Sequence, residues 1–188
     1  MSRTDEVTVS RAAELYAQFM HLLGIPKDEN SKDTAMRVAK MMYYEKCASL
    51  RNDPPKLTTF PNEGVDEYIV VRDIPYASIC AHHHVSFRGV AHIVYHPGDR
   101  IVGLSKFARV VQHFAAKPQI QEILTTEVAE FLFKELSPVG IAVRIEGSHL
   151  CMEERGARAI GAHTITQKFM GDMDKAEVAA LLEQRCSK

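Results

Sequence analysis

In the run Cys80-Ala81-His82-His83-His84, a cysteine and a histidine two residues apart can both reach one metal ion. His149-Leu150-Cys151 offers a second pair of donors much later in the chain. Together Cys80, His83 and Cys151 would supply two thiolates and one neutral imidazole. Zinc sites that keep a fourth position for water use such a three-ligand set. Two thiolate charges balance a divalent cation, and soft sulfur favours zinc over magnesium. Water on such an ion ionises near neutral pH and becomes a nucleophile. The same residues also read as ordinary structure, because cysteines are commonly buried as small apolar groups and a histidine run can lie on a surface. Spacing alone leaves both readings open, since nothing in it brings the two segments together.

A second feature is Gly103-Leu104-Ser105-Lys106-Phe107-Ala108-Arg109. Lys106 and Arg109 are three apart on one expected helix and share a face. They sit in its first turn, where cations oppose the helix dipole. A phosphate bound at that N-terminus would suit them, and so would a solvated face whose stems cover the core. In Pro118-Gln119-Ile120-Gln121-Glu122, an acid in the first helical turn is ordinary. The same carboxylate could accept two hydrogens from a guanine edge. Arg155, in Glu154-Arg155-Gly156, could pair with an acid or with a phosphate.

The elements that must position these groups follow from periodicity. Leu15, Phe19, Leu22 and Leu23 recur at helical spacing, which predicts an amphipathic helix over 10–23, capped by Ser10 and ended by Gly24. A second helix is expected over 33–49, with Met36, Ala39, Met42 and Tyr43 inward. Residues 51–64 carry three prolines and read as a connecting loop. Strand patterns begin at Tyr68, Val70 and Val71, run over 85–96 and, past the turn Pro97-Gly98-Asp99, include Ile101-Val102. A helix over 105–116 would bury Phe107, Val110, Val111 and Phe114. Pro118 fits the first position of another helix reaching Leu136. Ile141, Val143 and Ile145 alternate as a strand, 159–169 is compatible with a further strand, and a helix over 174–184 closes the chain. This order argues for an α+β fold built on an antiparallel sheet.

The chain of 188 residues has the length of one ordinary domain. We expect a single unit over 1–188, with a helical part at 1–50 and a catalytic core at 65–170. At 46% hydrophobic and 25% charged residues, the composition is that of a globular protein rather than a disordered one. A formal net charge of -1 excludes a bulk positive field for nucleic acid or an anionic membrane, so any anion site must be built locally. No segment is long and apolar enough for a bilayer span or a secretion signal, which points to the cytoplasm. In that reducing compartment Cys47, Cys80, Cys151 and Cys186 should not form a disulfide framework.

Taken together, these segments resemble GTP cyclohydrolase I. The likeness rests on Cys80-Ala81-His82-His83, Val102 to Arg109, Pro118-Gln119-Ile120-Gln121-Glu122, His149-Leu150-Cys151-Met152 and Arg155-Gly156, in the family's order and approximate spacing. The segment Asp33-Thr34-Ala35-Met36-Arg37-Val38-Ala39 is similar to the family's upstream helix. The resemblance implies conversion of GTP to 7,8-dihydroneopterin triphosphate and formate, an entry step to folate, biopterin or deazapurine biosynthesis. It further implies that Cys80, His83 and Cys151 hold Zn2+, that His82 and His149 transfer protons, and that Ser105 lies by the ribose. Arg37, Lys106, Arg109 and Arg155 would bind the triphosphate, while Gln121 and Glu122 would read the guanine. The implied fold is the tunnelling fold, an antiparallel sheet with paired helices on one face, preceded here by N-terminal helices. Its subunits join sheets into toroids, commonly homodecamers, with active sites between subunits.

The departures are local. Ala81 stands where many members carry Glu, His84 is an extra imidazole, and Gln167 and Lys168 replace the small hydroxyl residues usual near 163–173. Cys47 and Cys186 are expected not to be ligands. Other tunnelling-fold enzymes, and a zinc-stabilised scaffold with His84 as a fourth protein ligand, remain as alternative readings at this level.

Overall fold

The computed structural model describes residues 3–183, so Cys186 lies outside the described residues. The elements run α1 (Arg3–Leu22), α2 (Thr34–Met41), β1 (Thr59–Pro61), β2 (Ile69–Cys80), β3 (Ser86–His96), β4 (Arg100–Val102), α3 (Ser105–Ala115), β5 (Pro118–Gln119), α4 (Gln121–Leu136), β6 (Gly140–His149), α5 (Leu150–Glu153), β7 (His163–Gly171) and α6 (Lys175–Glu183). No described helix is long and apolar enough to cross a membrane.

The main sheet has the order β5-β2-β3-β6-β7, and β1 and β4 form a separate ribbon. Its long neighbours are antiparallel, while the two residues of β5 run parallel to the end of β2. Side chains alternate across a strand, and the two faces bury different things. Phe87, Ala91, Ile93 and Tyr95 of β3 and Ile141, Val143 and Ile145 of β6 join Phe107, Val110 and Val111 of α3 and Leu124, Val128 and Leu132 of α4 in one core. These helices supply the paired layer on one face. On the other face Val94 and Ala142 pack against Val178 and Leu182 of α6. The result is the α+β architecture the periodicity argued for, with the layering that the resemblance implied: an antiparallel sheet with paired helices on one face, preceded by N-terminal helices.

Three expectations need correction. The stripe Leu15, Phe19, Leu22 and Leu23 of α1 is outside, with Leu22 83% exposed. The buried residues are instead Val9, Ala13 and Met20, and α2 covers Val9 and Ala13 through Ala39 and Met36. The second helix stops being α at Met41, continues as a π turn over Met42–Lys46 and then a 3-10 turn over Ala48–Leu50. There Tyr43 donates a 2.7 Å hydrogen bond to Asp5, and the Arg51 guanidinium sits 3.7 Å from the centre of the Tyr43 ring. Pro118 does not start α4. Its neighbour Gln119 is buried, accepts from the Ala81 N–H at 3.0 Å and donates through its side chain to Phe114 O, which holds 118–119 extended. The helix begins at Gln121.

Candidate metal centre and proton-transfer site

The loop after β2 is closed by its own backbone. The Cys80 N–H donates to Val85 O and the His84 N–H to Cys80 O, both at 2.9 Å. His84 takes the left-handed conformation, with φ of 54°, a region where His is among the better-tolerated residues. This tight reversal leaves Cys80 buried while His82 and His83 project outward. Their Nδ1 atoms lie 3.7 and 3.9 Å from Cys80 Sγ.

The second segment arrives through sheet register. Phe87 near the start of β3 is paired with His149 at the end of β6, so the chain after β6 emerges beside the Cys80 loop. Cys151, in the short turn of α5, then meets Cys80 and His83 with all three ligand atoms within 4.8 Å of one another. Neither His84 nor His82 belongs to this group. The sheet therefore unites the two motifs that spacing alone could not join.

The donor chemistry fits a soft divalent cation. Burial, followed by the contact with Cys80, pushes the Cys151 thiol up, and the charge of Arg155 pulls it back. Two adjacent thiols resist ionising side by side unless a cation neutralises them. Cys47, Cys80 and Cys151 are all free thiols. Two sulfurs and one imidazole could supply three ligands to a metal that prefers four, the pattern of an open site.

His149 lies beside this centre. Its ring stacks on Phe87, and its Nε2 is 2.9 Å from Gln121 Oε1. Burial pushes its pKa down, opposed by the carboxylates of Glu122 and Glu153. Glu122 is exposed in the first turn of α4 and near enough for its charge to be felt at His149. Gln121, expected beside Glu122 as a guanine contact, is instead fully buried. Its amide is engaged by Ile145, Thr164, Thr166 and His149, which leaves it no free edge for a base. Position separates these neighbours: one residue at the helix start points into the protein and the next points out.

Ser105 is exposed at the first residue of α3, Lys106 is half-buried and Arg109 exposed. No acid occupies the first turn of α3 and no side chain caps it. Arg155 is exposed just past α5, within electrostatic reach of Cys151. Arg37 stands apart. It lies on α2, whose main packing partners are α1 and the turn that follows, and it pairs with Asp33 at 3.3 Å.

Sequence reasoning missed Phe87, Tyr76, Gly147, Thr125 and Thr166. A Cβ on Gly147 would sit 2.4 Å from Gln121 Oε1 and 2.5 Å from the Tyr76 hydroxyl, so only glycine lets this amide approach the sheet. A glycine inside an alternating strand was the available signal. The spacing of Gln121 and Thr125, one helical turn apart, was another.

The comparisons with known proteins agree with this geometry. Residues 12–185 match the sequence profile of GTP cyclohydrolase I. The chain is 48% identical over 186 residues to GTP cyclohydrolase 1 of Mycolicibacterium gilvum (strain PYR-GCK), covering 96% of this chain and 92% of that protein. It is 47% identical over 171 residues to the Sulfurihydrogenibium sp. (strain YO3AOP1) protein of the same name, covering 89% and 87%. Against that of Streptococcus agalactiae serotype V (strain ATCC BAA-611 / 2603 V/R), identity is 43% over 175 residues, covering 89% and 93%. The crystal structure of apo archaeosine synthase QueF-Like aligns with 60% of this chain and 100% of its own at 14% identity and a TM-score of 0.42, too distant to bear on function. With the profile spanning nearly all of it and relatives this similar along most of their length, the chain belongs to the GTP cyclohydrolase I family.

Proposed function

We propose that the chain converts GTP to 7,8-dihydroneopterin triphosphate and formate at the centre formed by Cys80, His83 and Cys151. The observation that carries this reading is the convergence of those three ligand atoms beside His82 and His149. Zn2+ is the ion the donor set suits, and when bound it would supply a Lewis acid that readies water for attack at C8 of the base.

The protein's own groups divide the remaining work. A neutral purine is a poor electrophile, so a proton must reach a ring nitrogen as C8 is attacked. His82 is exposed beside the ligand loop and is not itself in the ligand group, which suits a proton donor to the base. His149, held against Phe87, is the second proton-transfer group. Lys106, Arg109 and Arg155 bind the triphosphate, Glu122 accepts from the guanine edge and Ser105 lies at the ribose. Holding both ends of the nucleotide keeps C8 over the centre and removes the entropy of finding it. Breaking the ring C–N bonds releases C8 as formate, after which the ribose carbons rearrange and close the pterin ring.

We further infer that the whole chain works as one unit within a homo-oligomeric toroid, with sites shared between subunits. The sheet ends in open edges at β7 and along the part of β2 not covered by β5. Unpaired edges invite pairing with another copy. Leu15, Phe19, Leu22 and Leu23 add exposed apolar surface on α1. Arg37, remote in contacts from its own centre, would then serve a neighbour's triphosphate. The reaction belongs in the cytoplasm, where GTP is available and the thiol ligands stay reduced, and its product enters pterin or tetrahydrofolate synthesis.

The test is direct. Zinc-loaded protein is mixed with GTP, and formate release is followed together with pterin absorbance and fluorescence. Both signals rise, and both disappear on chelation. Formate without pterin would show that the later rearrangement is lost, and neither signal from folded, zinc-loaded protein would overturn the reading.

A further inference from the structure

The Gln121 amide has only one orientation compatible with its surroundings. Its Nε2 lies 3.0 Å from Ile145 O, 3.0 Å from Thr164 O and 3.1 Å from Thr166 Oγ1. Main-chain carbonyls can only accept, so the atom facing them must carry hydrogens. The hydroxyls agree. Thr125 Oγ1 donates its single hydrogen to Gln121 O at 2.8 Å, so it must accept from Thr166, 2.6 Å away. Thr166, its hydrogen committed, can only accept from Gln121 Nε2.

Oε1 is therefore the acceptor end, and its partners must donate. The Tyr76 phenol, pushed up by burial and so protonated, lies 3.4 Å from it. The other partner is His149 Nε2 at 2.9 Å. A neutral imidazole carries one N–H, and this contact demands that it be on Nε2. Among the described residues no hydrogen bond reaches Nδ1. The Phe87 stack, with ring planes 1° apart, fixes the ring plane as well.

We propose that Gln121 is a positioning residue that locks His149 as the Nε2–H tautomer and leaves Nδ1 as the atom exchanging a proton with substrate. The catalytic half of this rests on the reading of His149 given above. In each cycle Nδ1 accepts one proton and returns it, while Nε2 keeps its hydrogen on Gln121 Oε1 throughout. Thr125, Thr166, Thr164 and Ile145 keep the amide from turning. Gly147 leaves the space in which it sits.

The deciding experiment is ring nitrogen NMR on protein labelled with 15N-histidine, metal-free and zinc-loaded, with the His149 signal assigned by its loss in His149→Gln. We expect a protonated Nε2 and a bare Nδ1 in both samples. A proton on Nδ1, or averaging between the two tautomers, overturns the proposal without any variant of Gln121 having to fold. In Gln121→Met the tautomer preference should vanish and kcat fall on the order of 10- to 100-fold, with zinc content and KM for GTP kept. A raised KM with kcat kept would mean that Gln121 reads the base, and would overturn the positioning role. Wild-type turnover in His149→Gln would overturn the catalytic half, while the tautomer spectrum would still stand or fall by itself.

Discussion

His149 and Phe87 stack face to face, ring centroids 4.8 Å apart and planes 1° from parallel, at a point where β6 and β3 pair in register. One cross-strand pair thus orients the imidazole proposed above for proton transfer. It also sets the end of β6 beside the Cys80 loop, so that Cys151 falls within ligand distance of Cys80 and His83. Positioning and metal assembly depend on the same register. A slip of one residue would turn every side chain of β6 to the opposite face.

The three ligands should fail together. Cys80→Ala, His83→Ala and Cys151→Ala are each expected to lose bound zinc and GTP turnover in parallel, measured by elemental analysis and formate release on the same samples. Full zinc occupancy after removal of two of the three would dismiss the ligand assignment.

His82→Ala separates metal from proton transfer. Zinc content should stay at the wild-type level while kcat drops by about 10²- to 10⁴-fold, the usual range for a general acid or base. Wild-type turnover in this variant would exclude His82 as the donor.

Gly147→Ala probes the close approach of Gln121 to the sheet. The new methyl would overlap Gln121 Oε1 and the Tyr76 hydroxyl at 2.4 and 2.5 Å, and both groups are buried, so one of them must shift. A loss of about 1–3 kcal/mol is expected, as for overpacking a tight core. Denaturant unfolding measures it, and unchanged stability would show that the amide is free to move.

Stability should fall in mild acid through His92. This residue is buried on the face of the sheet opposite α3 and α4, near Glu146, Asp73, Arg144 and Arg72. Burial drives its pKa below the ordinary 6.5, and the two acids oppose that only in part. An unfolded His92 therefore binds its proton at a higher pH than the folded one, so stability rises with pH across that interval. The contribution is complete above the unfolded value and is lost as pH falls from about 6.5 toward the lower folded value. His113 and His149 shift the same way. His92→Gln should reduce the pH slope of the denaturant midpoint without removing it, and an unaltered slope would refute the contribution.

Lys106→Ala and Arg109→Ala test the proposed triphosphate subsite on α3. Each should raise KM for GTP far more than it lowers kcat, with the penalty growing as salt is removed. Equal behaviour toward GTP and guanosine in the wild-type protein would argue against a triphosphate subsite on α3.

Much of this molecule is legible in its residues. The strands announce themselves by alternation at Ile141, Val143 and Ile145, and α3 by Phe107, Val110 and Val111, all of them buried where the pattern puts them. Donor types at Cys80, His83 and Cys151 suit a soft cation whatever the fold, because ligand chemistry is a property of the side chain, but by themselves they leave burial as ordinary structure equally open. Local pattern could not say which apolar face of α1 is inside, since Leu15, Phe19 and Leu22 are as apolar as the Val9 and Ala13 that α2 covers. It could not tell Gln121 from Glu122 either. Adjacent residues on a helix start point in different directions, and only the placement of α4 against β6 and β7 decides which is buried among carbonyls and which faces out. The meeting of Cys80 with Cys151 belongs to the tertiary structure for the same reason. Strand register, set by the packing of whole faces, brings together groups that the chain itself holds far apart.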